Sequence, residues 1–168
     1  YTQDTIDAEL KKSKEDFILH FRSAYTDDYP PAWMIAEILP LGLLCRIYTN
    51  LKDNVIKKRV AQHFGLQVPV FSSWIVILAG LRNMCCHHCR TWNRELATIT
   101  TEPRRTKYGW IDSSRTDKRR MYYRICMIRY FLYTVSPNNS FKDKLKTLLA
   151  AYPNIDTAAM GFPSDWES

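Results

Sequence analysis

Ser72-Ser73-Trp74-Ile75-Val76-Ile77-Leu78-Ala79-Gly80-Leu81-Arg82-Asn83-Met84-Cys85-Cys86-His87-His88 is the stretch on which the fold turns. Trp74, Ile77, Leu78, Leu81 and Cys85 recur at spacings of three and four, which is the period of one face of an α-helix. Ser72 or Ser73 is placed to cap its start. The stripe runs directly into the two histidines and on to Leu96. The expectation is therefore a central, buried helix in which Cys85 and Cys86 pack as small hydrophobes.

The flanking segments carry the same period. Leu10, Phe17, Ile18, Phe21 and Tyr25 form an apolar stripe across residues 4 to 25, predicting one amphipathic helix. Pro30-Pro31 precedes an apolar run from Ala32 to Leu51 that Pro40 and Gly42 interrupt, so two short helices or one kinked helix should follow. Asp53 can cap a helix bearing Val55, Ile56, Val60 and Phe64, which Gly65 can close in the left-handed conformation. Val68-Pro69 then reads as linker. Pro103, Gly109 and several serines and threonines mark 101–117 as a loop excursion. Met121, Ile125, Ile128, Leu132 and Val135 place a further helix from near Asp117 to Pro137, and Ser140 opens a last short one ending before Pro153. Strand-like alternation is almost absent, and the fold class is all-α.

A chain of 168 residues fits one domain, 1–168, with enough buried surface for its own core. Tyr1 is not an initiator methionine, so the sequence is expected to be a piece of a longer chain. The uncharged stretch from Phe64 to Leu81 contains Gly65, Gln67, Pro69, Ser72 and Ser73; its apolar part is too short to span a bilayer, and no membrane association is expected. The 5 cysteines are odd in number and 3 crowd into Cys85, Cys86 and Cys89, a usage suited to a reducing cytoplasm.

The charge is concentrated. Arg104, Arg105, Lys107, Arg115, Lys118, Arg119, Arg120, Arg124 and Arg129 face only Asp112 and Asp117 between positions 104 and 129, an excess equal to the net charge of +7 of the whole chain. Tyr108, Trp110, Tyr122 and Tyr123 are interleaved with them. Cations among aromatics suit a nucleic-acid backbone with unstacked bases. Solvated surface charge and attraction of an acidic protein are the other readings, because charge selects polyanions as a class.

Arg82, Asn83, His87 and His88 are candidate catalytic residues for phosphodiester chemistry. A guanidinium holds a phosphate through two hydrogen bonds, and an imidazole exchanges protons near neutral pH without a metal. Arg90, Arg94, Arg104, Arg105, Arg119 and Arg120 are candidate RNA contacts. At about 100° per residue Asn83 and His87 share a helix face, whereas Arg82 and His87 stand about 140° apart. Either the arginine stem curls round, or the helix is irregular, or two copies face each other across a two-fold axis. Zinc is a rival, but Cys85 and Cys89 lack a second paired set, Cys45, Cys126, His20 and His63 standing alone. A Cys85 nucleophile with His88 as base, and a purely structural His87, are the remaining readings. No metal and no cofactor is called for.

Arg82-Asn83-x-x-x-His87 resembles the R-x4-6-H signature of the HEPN superfamily of helical ribonuclease and nucleic-acid-associated domains. The longer run from Leu81 to Arg94 is similar to the motif of the Abi-like family of bacterial phage abortive-infection proteins. The similarity extends to Pro31-Ala32-Trp33-Met34-Ile35-Ala36-Glu37, to Gly42 and Tyr48-Thr49-Asn50-Leu51, and to Gly161-Phe162-Pro163-Ser164-Asp165-Trp166. This resemblance implies a HEPN-like bundle dimerising through the motif helix, and the C-terminal portion of a longer family member. It also implies a metal-independent endoribonuclease of phage defence or a toxin system, with RNA as substrate and an antitoxin or defence protein as partner. In that chemistry His87 exchanges protons, Arg82 holds the phosphate, Asn83 orients the histidine or touches substrate, and His88 is a fourth member or a structural residue. The alternative to this enzyme reading is a catalytically silent nucleic-acid-binding or regulatory module, in which Arg82 and His87 hold the helices together and the basic segment binds RNA. Some HEPN toxins carry a modifiable tyrosine two residues after the histidine; this chain has Cys89 there.

Overall fold

The computed structural model describes residues 2–167, and its regular structure is entirely helical: eight helices and no strand among the described residues. The fold class is all-α, as the spacing of apolar residues predicts. Within the span expected to form one domain, the residues group into two compact units, 1–51 and 52–168.

The first unit holds α1 (Thr2–Lys12), α2 (Asp16–Ala24), α3 (Ala32–Ile38) and α4 (Leu41–Asn50). The single helix expected over 4–25 is broken at Ser13 to Glu15. Glu15 is extended (φ −64°, ψ 135°) and its N–H donates to the Ser13 hydroxyl at 3.3 Å, a local side-chain partner that competes with the helical ladder. The break lets Arg22 reach back to the Leu10 carbonyl at the end of α1, while Leu10, Ile18 and Phe21 are buried. Tyr29 donates to the Asp7 carboxylate at 2.9 Å, and α1 packs on α3. Pro40 separates α3 from α4 because the residue before a proline is forced out of helical conformation, and Leu39 has ψ 140°.

In the second unit α5 (Asn54–His63) starts as expected: the Asp53 carboxylate accepts from Val55 N–H at 2.7 Å and Ile56 N–H at 3.1 Å. Its end is closed by Gly65 at φ +66°, whose N–H bonds the Gln62 carbonyl at 2.8 Å while Leu66 N–H bonds the Ala61 carbonyl at 3.0 Å. Helix α6 (Val68–Cys86) begins earlier and stops sooner than its stripe suggests. Val68-Pro69 belongs to its first turn rather than to a linker, since a proline there lacks only an N–H that the helix start leaves unused. Helix α7 (Met121–Val135) ends before Pro137 as expected but starts four residues after Asp117, which builds the turn before it by accepting Arg119 N–H at 2.8 Å on its carboxylate and Arg120 N–H at 3.1 Å on its carbonyl. Before α8 (Phe141–Ala151) the capping oxygen comes from Asn139, which accepts Phe141 N–H at 3.0 Å, and the Ser140 hydroxyl makes no capping bond.

Helix α6 packs against α5 and α7. Its Trp74 is fully buried, with ring centroids 4.5 Å from Trp110, 5.4 Å from Tyr130 and 6.0 Å from Phe131. Such pairs add about 0.5–1.5 kcal/mol each beyond the area they bury. A second cluster joins Leu81 of α6 and Met121 and Tyr122 of α7 to Met160 and Phe162 near the C-terminus. At 19 residues α6 is long and apolar enough by length and composition to cross a bilayer, more than its uncharged stretch suggests. A core helix passes the same test, and here Val70, Phe71, Trp74, Ile77, Ala79 and Leu81 are buried within the protein.

Gly65 has no substitute. A Cβ there would lie 2.1 Å from the Lys107 Cβ, on a backbone already left-handed. Gly65→Ala should lower stability by about 2–4 kcal/mol, the left-handed penalty and an overpacking cost combined. Urea unfolding would show a lower midpoint at unchanged slope.

Candidate functional site

The motif occupies the end of α6. Arg82 to Cys86 are its last helical residues, His87 is the C-cap with φ −94° and ψ 16°, and His88 lies in the left-handed region at φ 53°, the single non-glycine residue among those described to do so. His88 N–H bonds the Cys85 carbonyl at 3.1 Å and Cys89 N–H bonds the Met84 carbonyl at 2.9 Å. This is the closing pattern that Gly65 makes on α5, built here on a histidine at a cost of about 1 kcal/mol. The helix expected to reach Leu96 thus ends ten residues short of it. Contacts further along the chain outweigh local propensity: Leu96 is buried with its N–H on the Arg119 carbonyl at 2.8 Å, and the buried Arg124 guanidinium binds the Thr98 carbonyl.

Beyond Leu81 the helix leaves the core. From Arg82 to Arg90 every residue but Met84 is exposed. Cys85, Cys86 and Cys89 are therefore solvent-facing thiols, and Cys85 and Cys86 are not the buried hydrophobes that the stripe implies. The helical bond from His87 N–H to the Asn83 carbonyl, 3.0 Å, keeps those two residues one turn apart. Arg82 Nη1 donates to Asn83 Oδ1 at 3.3 Å, so the arginine stem curls toward the Asn83 side of the helix. Neither the His87 nor the His88 imidazole has a hydrogen-bond partner among the described residues. No three His, Cys, Asp or Glu side chains among those residues converge as a metal site.

The basic segment divides into spent and unspent cations. Arg119 pairs with Glu95 at 2.7 Å, Arg120 with Asp117 at 3.5 Å and with the Asn93 amide oxygen at 3.4 Å, Lys118 with Glu102 at 2.8 Å and Arg115 with Asp165 at 3.2 Å. Lys118 beside it holds the Glu102 carboxyl below its ordinary range. Arg90, Arg94, Arg104 and Arg105 have no ion pair among the described residues. Arg105 and Lys107 share a cavity of about 470 Å³ with Lys58 and Gln62, floored by Leu66 and Val68.

The model of the family described as Abi-like protein matches residues 1–93, more than half of the 168 and inclusive of Arg82 to His88. The chain belongs to the Abi-like protein family. No curated protein and no solved structure matches it significantly. Membership points to abortive infection, the defence of bacteria against phage. The match ends at Asn93, so the similarity noted at Gly161 to Trp166 lies outside it.

A cleft in this Abi-like protein joins α6 to residues distant from it in sequence. Val76, Gly80, Leu81 and Met84 of α6 form one wall of a cleft of about 340 Å³, and Arg94, Leu96, Ala97, Thr98 and Arg124 contribute the rest. Arg124 reads in the sequence as one more solvated cation, yet it is 1% exposed.

Two outcomes test this geometry. Brief iodoacetamide treatment of the native protein, read by mass spectrometry, should label Cys85, Cys86 and Cys89 and spare Cys45 and Cys126. Burial pushes the Cys126 thiol up to about 11 and the Cys45 thiol above its usual value, leaving little of either as nucleophilic thiolate. His88→Gly should hold stability or raise it by up to about 1 kcal/mol, because glycine carries no left-handed penalty; a clear loss in thermal unfolding would show that the imidazole itself supports the fold.

Proposed function

We propose that this Abi-like protein is a HEPN-type, metal-independent endoribonuclease of abortive infection, acting in the cytoplasm on RNA. The supporting observation is the exposed helix end that carries Arg82, Asn83 and His87 together, with the arginine head drawn against the Asn83 amide. In the proposed reaction the ribose 2′-oxygen forms a bond to the adjacent phosphorus as the bond from phosphorus to the 5′-oxygen breaks. The products are a 2′,3′-cyclic phosphate and a 5′-hydroxyl. His87 takes the proton of the attacking hydroxyl or supplies one to the leaving oxygen. Arg82 offsets the charge gathering on the phosphoryl oxygens. His88, which holds the left-handed turn, joins them as a fourth polar group.

A second copy fits this reading. An acid–base imidazole works best when its other nitrogen is held by an acceptor, and both imidazoles here stand in solvent without one. Pairing of two motif helices across a two-fold axis would supply partners for each and pool two arginines and two histidines. Arg90, Arg94, Arg104 and Arg105 would bind the flanking phosphates, with Arg119 and Arg120 contributing from within their ion pairs. An antitoxin or another defence protein would then act by covering the motif. The same unheld imidazoles favour the second reading, a silent RNA-binding module.

Incubation of the protein with mixed RNA in chelator separates the two. The parent should leave cyclic phosphate ends, and Arg82→Ala and His87→Ala should each cut at least about a hundred-fold more slowly. Both positions are exposed, so neither change should move stability by more than about 0.5 kcal/mol. Intact RNA bound by a folded parent would select the silent module.

A further inference from the structure

The α6 cleft contains a cation that the protein does not neutralise. Arg124 is buried; its guanidinium spends one N–H on the Thr98 carbonyl and one on the Met127 sulfur at 3.7 Å, and its carbon lies 6.0 Å from the centroid of the Tyr123 ring, which supplies no formal counter-charge. A guanidinium has five such donors. No carboxylate pairs with it among the described residues, and burial pulls its pKa below the ordinary arginine value. An uncompensated buried charge is costly unless something of opposite sign completes it. Arg124 and the Thr98 it binds both line the cleft, and so does Arg94, an exposed guanidinium with no ion pair. The rest of the wall is largely apolar: Val76, Leu81 and Met84 on one side, Leu96 on the other.

We propose that this cleft is a nucleotide subsite, in which a nucleobase packs between Met84 and Leu96 and its phosphate is taken by Arg94 and Arg124. Two guanidinium forks match phosphate oxygens, and an apolar slot accepts the face of any base. At about 340 Å³ the cleft lies at the low end of small-molecule sites, a fit for one nucleotide. Leu81 and Met84 flank Arg82 and Asn83 along α6, so a base seated here would belong to a nucleotide near the motif. The choice of an RNA strand as the source rests on the ribonuclease reading; the affinity for a nucleotide does not.

The mouth can be closed without touching either arginine. A Cβ on Gly80 meets no atom within 4 Å, and Gly80 lines the cleft, so Gly80→Leu fills it while replacing a helix-weakening glycine. Calorimetric titration would use inorganic phosphate, the four ribonucleoside 5′-monophosphates and a 2′-O-methyl hexanucleotide that cannot be cleaved. At least one monophosphate should bind ten-fold more tightly than phosphate, and Gly80→Leu and Arg94→Met, both with parental helicity, should each weaken it ten-fold or more. Parallel weakening of the hexanucleotide identifies an RNA strand as the source of the nucleotide; weakening of the monophosphate alone identifies a free nucleotide. Monophosphates bound no better than phosphate, or bound equally by Gly80→Leu, would overturn the subsite. Binding that persists while RNA stays uncut would leave the subsite standing and remove the ribonuclease.

Discussion

The Trp74 indole, fully buried on α6, donates to the Thr101 carbonyl at 3.1 Å, and the amide of Thr101 returns to Ser73 Oγ at 3.2 Å. Those two bonds hold the middle of a segment, His87 to Arg120, that has no helix of its own. A backbone run of that length must find acceptors and donors outside itself or remain solvated. It finds them on the two long helices. Tyr130 of α7 accepts Lys107 N–H at 3.1 Å and donates to the Phe64 carbonyl at 3.0 Å, while the Trp110 ring lies tilted by 37° against Trp74 and meets Tyr123 and Tyr130 edge-on. Loss of the indole would cost its burial, about 3–5 kcal/mol for a fully buried tryptophan, and would also release the segment that completes the α6 cleft.

The same docking decides where the motif sits. Because Leu96 and Thr98 are held by Arg119 and Arg124, the chain must turn away from the α6 axis soon after Cys86, and His88 accepts a left-handed backbone to do so. The reward is position: Arg82, His87 and His88 project from a helix whose other end is locked in an aromatic core. A rigid element presenting polar groups at its tip is the arrangement a reactive site requires.

Where signals were local, the sequence reported the structure. The Asp53 cap, the Gly65 closure and the α7 stripe ending at Pro137 each depend on residues within a turn of one another, and the helices follow them. The early end of α6 depends on a partner elsewhere, Thr98 held by Arg124, and the break at Ser13 to Glu15 on a side-chain bond, Glu15 N–H to the Ser13 hydroxyl. Periodicity has no access to such contacts. It misled on the cysteines for the same reason, since a stripe continued to Cys85 says nothing of where the core stops. Arg82, Asn83 and His87 were legible as a motif because three adjacent chemistries on one helix end form a local pattern. Arg124 was not, because a helical arginine looks the same whether it faces water or a cleft.

Charge illustrates the limit most sharply. An excess of +7 between Arg104 and Arg129 suggests one broad cationic face, but Arg115, Lys118, Arg119 and Arg120 spend their charge on acids drawn from outside that window, Asp165, Glu102 and Glu95, or within it, Asp117. These exposed pairs contribute little each to stability, yet they offset part of the charge that four cations offer a polyanion. What is left in that window is Arg104, Arg105 and Lys107, the last two lining a cavity with Lys58, together with the buried Arg124 and with Arg129 over the Tyr133 ring. A phosphodiester chain gains most by releasing counterions where fixed charge is unpaired. The density of cations in the sequence therefore overstates the unpaired charge of that segment, because spacing along the chain does not show which acids fold against it.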